Sequence, residues 1–292
     1  GNDEWGANVK EAWNLGYTGK GVNVGVIDSG ITDHPDLKRN IIPDSGYDFV
    51  SREDYSRDGD GRDANPADEG DWTAAGECNS RNKGYDSRWH GTHVAGIIGA
   101  EWNDDGVAGT AKDAKIVPIR TMAKCGGLTS DIADGLAWAA GVEISGVPTN
   151  THPADILNLS LGNNQPCGNV YQTAIDRANA KGARIFVSAG NSNQDTFLFE
   201  PASCKGVITV ASTGPEGKKA SYTNHGGEVD IAAPGGDQNY IDYSDLKAKK
   251  DEARGIWSTL NTGKTTPEEP SIAAYDGTSM ATPLVAGVAA MM

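Results

Sequence analysis

The chain has 292 residues, 40 of them acidic and 25 basic, for a formal charge of −15. That balance argues against nucleic acid or an anionic membrane surface as a partner, since both repel an acidic protein. No apolar run reaches the ~18 residues of a membrane-spanning helix, and the 38 glycines suit a sheet with many tight strand-to-helix turns.

The length allows one large α/β domain or two small ones. No internal repeat or low-complexity linker divides it, so residues 1–292 are expected to form one domain. Val9 to Gly16 predicts a short amphipathic helix stopped by glycine. Val22 to Gly30 is a β-branched run ending in Asp28-Ser29-Gly30. It reads as a central parallel strand that delivers Asp28 to the carboxyl edge of a sheet, where open α/β sheets place their chemistry.

The stretch from Ser51 to Trp72 is metal-like. Asp58, Asp60, Asp63 and Asp68 are closely spaced, with glycines that let the backbone curl. A hard cation takes about six to eight oxygens. Carboxylates packed this tightly would otherwise repel one another. Asp58, Asp60, Asp63 and Asp68 are candidate side-chain ligands and Arg62 a carbonyl ligand. The loop is not an EF-hand, because the closing Glu is absent, and a solvated acidic loop is the plain alternative.

Trp89 to Ala100 reads as a helix that begins with His90 and whose Gly and Ala permit close packing on a sheet. His90 and His93 lie three apart, but the segment lacks the Glu of a His-Glu-x-x-His zinc site. Further strands are expected at 114–120, 156–162, 183–189, 206–212 and 229–235, and a helix over 130–140. The strand that ends in Ala189-Gly190-Asn191 brings an amide side chain to the same edge as Asp28. Residues 238–271 are polar and read as a surface insertion near the cleft.

At the other end, Gly277-Thr278-Ser279 precedes a small, apolar run, so Ser279 sits where a loop becomes a buried helix. Its backbone N–H is one of the donors that no helical carbonyl satisfies, and the helix dipole backs it, so it suits a developing oxyanion. A plain helix cap is the alternative. The four cysteines, Cys78, Cys125, Cys167 and Cys204, lie in no Cys-x-x-Cys unit and allow three pairings.

Three of these segments, Val26-Ile27-Asp28-Ser29-Gly30, His90-Gly91-Thr92-His93-Val94-Ala95-Gly96 and Gly277-Thr278-Ser279-Met280-Ala281-Thr282-Pro283, occur in the chain order Asp, His, Ser. From about Tyr17 onward the sequence resembles the subtilisin-like serine proteases, the subtilases. The resemblance implies a three-layer α/β fold with a mostly parallel central sheet and helices on both faces. It implies a triad of Asp28, His90 and Ser279, with Asn191 and the Ser279 N–H forming the oxyanion hole.

The resemblance further implies that Cys125-Gly126-Gly127-Leu128 and Ser160-Leu161-Gly162, with Ala189 and Gly190, hold an extended polypeptide as an added strand, which gives broad specificity. It implies a calcium site of Asp36, the Asn103 side chain and the carbonyls of Glu101, Asp105 and Val107. Acidic loops like 58–68 occur in secreted bacterial members. Cys78–Cys125 and Cys167–Cys204 are the expected disulfides, each pair lying in loops that flank the cleft. The resemblance also implies a secreted, extracellular, monomeric endopeptidase. Its signal peptide and its propeptide, an intramolecular chaperone and inhibitor, would have been removed. Family members normally continue past the serine helix with a strand and helices, so the chain is expected to lack that part. The alternatives are a catalytically silent calcium-binding module and an esterase, but no Gly-x-Ser-x-Gly elbow surrounds Ser279.

Overall fold

The apolar runs pair side by side, and every pairing in the main sheet is parallel. The computed structural model describes residues 6–242 and 247–292, and the side chains outside 240–249. Helix α1 (Val9–Asn14) precedes strand β1 (Asn23–Asp28), which is followed by α2 (Pro35–Lys38), β2 (Tyr47–Asp48), α3 (Glu53–Ser56) and α4 (His90–Gly99). Strand and helix then alternate through β3 (Lys115–Arg120), α5 (Thr129–Ala139), β4 (Ile156–Leu159), α6 (Asn169–Ala180) and β5 (Arg184–Ser188). Strands β6 (Ile208–Thr213) and β7 (Ile231–Pro234) complete the sheet. Two antiparallel hairpins, β8 (Asn239–Asp242) with β9 (Lys247–Lys250) and β10 (Ile256–Asn261) with β11 (Pro270–Tyr275), lead into α7 (Thr278–Ala290).

The seven-stranded sheet has the order β2-β3-β1-β4-β5-β6-β7. Successive side chains of a strand face opposite layers, and β1 obeys this. Ile27 packs with Phe49, Leu136 and Tyr171 on the α5 and α6 side, whereas Val24 and Val26 pack with Val94, Ile98 and Met280 on the α4 and α7 side. Both faces are covered, as a parallel sheet requires. The strands after β1 run first to one side, to β3, and then to the other, from β4 to β7. The carboxyl ends of β1 and β4 therefore flank the point where the winding reverses, the usual site of a functional crevice.

Cys78 joins Cys125 and Cys167 joins Cys204, as expected. With sequence separations of 47 and 37 residues, each is worth about 4 kcal/mol on the chain-entropy model.

The segment 238–271 departs from the expected surface insertion; residues 243–246 of it lie outside the described part. The β10–β11 hairpin packs against α4, and Ser258 and Thr259 are fully buried. Ser258 Oγ donates to the His93 carbonyl at 2.7 Å and Thr259 Oγ1 to the Thr92 carbonyl at 2.8 Å. Their polarity made the strand look solvated, yet the hydroxyls are satisfied by helix carbonyls.

Gly96 makes this contact possible. A Cβ there would lie 2.2 Å from Thr259 Oγ1 and 2.3 Å from Ser258 Oγ. Gly96→Ala should therefore lower stability by about 1–3 kcal/mol, the usual cost of overpacking. A urea midpoint equal to that of the parent would show that the hairpin does not press on α4 in this way.

Candidate active site

Strand β1 ends in Asp28, whose side chain is completely buried. A buried carboxylate needs hydrogen-bond donors. Its Oδ1 accepts the Ser29 N–H at 2.8 Å, and its two oxygens lie 2.8 and 3.0 Å from His90 Nδ1. His90 opens α4, and that helix can approach because residue 91 is glycine: a Cβ there would sit 2.1 Å from the Gly30 carbonyl oxygen. Ser29 Oγ fixes the junction, accepting from the Gly91 N–H at 3.0 Å and donating to Asp68 at 2.7 Å.

Ser279 stands in the first turn of α7. Its Oγ donates to the Ser160 carbonyl at 3.1 Å, and Ser160 Oγ donates back to the Ser279 carbonyl at 2.8 Å. Pro283, the residue four further on, has no N–H to offer that carbonyl. Ser160 takes the vacant place, which docks α7 on the end of β4. Thr278 docks it on the end of β5: its N–H and hydroxyl donate to Asn191 Oδ1 at 2.9 and 2.8 Å, and its hydroxyl accepts the Gly190 N–H at 3.2 Å. With Oδ1 so engaged, Asn191 has its Nδ2 to present. A Cβ on Gly277 would lie 3.4 Å from that Nδ2 and 3.6 Å from the Ser279 nitrogen. The two donors therefore flank one small space.

Beside His90 lies a depression lined by Ser29, Asp71, Arg88, Met122, Gly126, Ser160, Leu161 and Gly162. Four of the expected substrate-edge residues thus meet the histidine. Cys125 is bonded to Cys78, Leu128 is exposed just before α5, and Ala189 is buried at the end of β5. Arg88 and Asp71 were not among the candidates. The available signal was the position of Arg88 two residues before His90; nothing in the sequence pointed to Asp71, 17 residues earlier.

Burial works against a charged His90, but the charge and hydrogen bond of Asp28 outweigh it and hold the imidazole above the ordinary histidine value. Arg88 pushes it down and Asp71 pushes it up. His93 behaves oppositely: burial takes it down to about 4, and its Nε2 lies 3.0 Å from the Ala273 carbonyl. It faces the hairpin and not the cleft.

The expected metal ligands fall into two groups. Asp36 is buried, and among the described residues its carboxylate accepts only neutral donors, Asn103 Nδ2 at 3.2 Å and the Val107 N–H at 3.0 Å. A buried carboxylate with no cationic partner among the described residues, beside the 101–107 loop, fits a hard ion. In the 58–68 loop, among the described residues, only Asp58 of the four carboxylates meets a cation. Asp58 pairs with the buried Arg120, which also binds Asp48 and the Ser56 carbonyl, and the Arg62 side chain pairs with Asp131 and Asp134. Asp68 turns to Ser29 and Gly70. Asp60 is left near Asp58 and Asp63, and burial and their charges raise its carboxyl. No cluster of three or more His, Cys, Asp or Glu poised for a metal is found among the described residues.

A parallel α/β sheet thus gathers an Asp–His pair, a helix-N-terminal serine and two amide donors at its switch point. The sequence model of the subtilase family matches residues 19–292, and the chain belongs to that family. It is 47% identical, over its whole length, to an extracellular protease of Xanthomonas campestris, covering 47% of that protein. It is 44% identical to an extracellular basic protease of Dichelobacter nodosus, covering 99% of this chain and 45% of the relative. The chain thus spans about half the length of these curated relatives. Among solved structures, a protease from Pseudoalteromonas arctica superposes with a TM-score of 0.92 at 46% identity, covering 99% of this chain and 82% of that one.

Since the folded value of His90 exceeds the unfolded one, its protonated form stabilises the fold below the ordinary histidine value. That contribution is lost as pH rises through the raised value. Asp28→Asn removes the cause, so the His90 ring should titrate at a lower pH, followed by its NMR signals. A midpoint that stays put or rises would contradict the pairing.

Proposed function

We propose that the chain is the catalytic part of a secreted, extracellular serine endopeptidase acting on extended polypeptides. The observation that carries this reading is the buried Asp28 carboxylate bonded to His90 beside the depression that also holds Ser160, the partner of Ser279 Oγ. Ser279 Oγ donates to the Ser160 carbonyl here, and the reaction requires that hydroxyl to turn to His90 Nε2; catalytic hydrogen bonds commonly tighten only when substrate binds.

Asp28 holds the proton on Nδ1, which leaves Nε2 as the base. His90 takes the Ser279 proton as Oγ attacks the peptide carbonyl, and the developing oxyanion accepts from the Ser279 N–H and Asn191 Nδ2. His90 then protonates the leaving amine, and water repeats the sequence on the acyl-enzyme. Cys125 to Leu128 on one side and Ser160 to Gly162 with Ala189 and Gly190 on the other hold the peptide through its backbone, which favours broad specificity. A propeptide that inhibits and assists folding, and action as a monomer, complete the reading.

Ser279→Ala should lower kcat by about 10⁶-fold, and Asn191→Ala by about 10²–10³-fold with KM little changed. Casein digestion surviving Ser279→Ala would refute the assignment. Because the base form of His90 is required, kcat/KM should fall as pH drops through the raised histidine value. A silent binding module would show none of this.

Calcium binding is general in the family. The proposed ligands here are Asp36, Asn103 and the carbonyls of Glu101, Asp105 and Val107, with Asp58, Asp60, Asp63 and the Arg62 carbonyl as a second set from which Asp68 is diverted. The ion would add rigidity and take no part in the chemistry. Chelation should lower the thermal midpoint of the Ser279→Ala protein by several degrees, equivalent to about 2–3 kcal/mol of lost linkage, and Asp36→Asn should abolish most of that response. Calcium-independent melting would dismiss the ion.

A further inference from the structure

Arg88 is held unusually firmly for a side chain at a cleft rim. Its backbone N–H and Nε donate to the two oxygens of Asp71 at 2.8 and 2.7 Å, and Nη2 lies 2.5 Å from Asp71 Oδ2. The guanidinium carbon stands 4.7 Å over the Tyr85 ring, and the Arg88 carbonyl accepts from Tyr275 at 2.9 Å. This anchoring occupies one edge of the guanidinium. Nη1 has no partner among the described residues, and the Arg88 side chain is 57% exposed where that of Asp71 is 7% exposed. The charge offered to the depression beside His90 is therefore positive. Asp71 also lines the depression, but both of its oxygens are engaged by Arg88.

The geometry of an extended peptide says which substrate side chain reaches this place. Successive side chains point to opposite sides. With the scissile carbonyl at Ser279 and Asn191, the residue before the cut enters between 160–162 and 189–190. The residue before that turns the other way, toward His90, Gly126 and Arg88.

We infer that Arg88 is a specificity-determining residue that favours an acidic substrate side chain at the second position before the scissile bond and disfavours a basic one; this rests on the peptidase reading above. A rigid guanidinium edge suits a carboxylate, because its donors are arranged in advance and little rotamer freedom is lost on binding. Solvent and the neighbouring Asp71 weaken the interaction, so the effect is modest.

The test uses quenched peptides identical except for Asp, Ala or Lys at that position, cleaved at about pH 9, where carboxylates are ionised and lysine is still charged. The protein should cleave the Asp peptide about fivefold more efficiently than the Lys peptide, the scale of a partly exposed ion pair. High salt should shrink that preference. Arg88→Gln should bring the Asp-to-Lys ratio of kcat/KM close to one, and Arg88→Lys should keep part of it. Comparing two substrates on one variant cancels any general loss from misfolding. A ratio unchanged in Arg88→Gln, or a parent protein that prefers Lys, overturns the proposal. Failure of the parent to cleave any of the three peptides, or cleavage equal in Ser279→Ala, removes the peptidase reading and this proposal with it.

Discussion

The fold of the site depends on one buried charge. Asp28 lies at the carboxyl end of the sheet's central strand with no solvent contact, and an ionised carboxylate so placed is costly unless donors surround it. Those donors come from the next residue and from the first residue of α4. To supply them the helix must start against the β1 turn, which explains the close approach of Gly91 to Gly30 and the bridging hydroxyl of Ser29. Removing solvent from the carboxylate and directing the imidazole are thus one structural event. The serine side is built by a different means. Three short polar side chains, Ser160, Thr278 and Asn191, staple the start of α7 to two strand ends. The two halves are independent in sequence and meet only because β1, β4 and β5 lie close together in one sheet.

Acidic surplus turned out to be internally organised to a greater extent than composition suggests. The spacing of Asp58, Asp60, Asp63 and Asp68 argued for an external cation, because mutual repulsion seemed to demand one. Arg120, which is in register with Asp28 on the adjoining strand, pairs with Asp58 and with Asp48, and so relieves one of the four, while Asp60, Asp63 and Asp68 meet no cation among the described residues. Nothing local to the loop announced this partner, which is some sixty residues away in sequence. Burial still pushes the Asp48 carboxyl up to about 7 despite the adjacent guanidinium, as expected when desolvation competes with a single shared cation.

Much of the sheet was legible because buried parallel strands are apolar runs that end in turn residues, as at Val24 to Asp28 and Ile185 to Ser188. The candidate site was legible as polar residues because a buried strand or helix seldom ends in a polar side chain without cause, as with Asp28, His90 and Ser279. Helix α6 escaped notice although Tyr171, Ala174, Ile175 and Ala178 mark one buried face; its other face is so polar that the stripe was diluted. Strand β10 escaped because serine and threonine hydroxyls were read as solvent-facing. Their partners are carbonyls of α4, whose second lone pairs no sequence pattern reveals.

That same hairpin separates the two histidines of α4. They lie three residues apart, yet rotation along the helix sends His90 to the cleft and His93 under Tyr275, with ring centroids 4.6 Å apart and nearly parallel. In that dry contact a charge on His93 is disfavoured down to about 4, so His93 remains neutral through the whole range in which His90 titrates. A cation on His93 would depress His90 through their mutual repulsion. By keeping His93 neutral, the hairpin leaves the protonation of His90 governed by Asp28, Arg88 and Asp71. The β10–β11 pair thus contributes no side chain to the cleft and still shapes its response to pH.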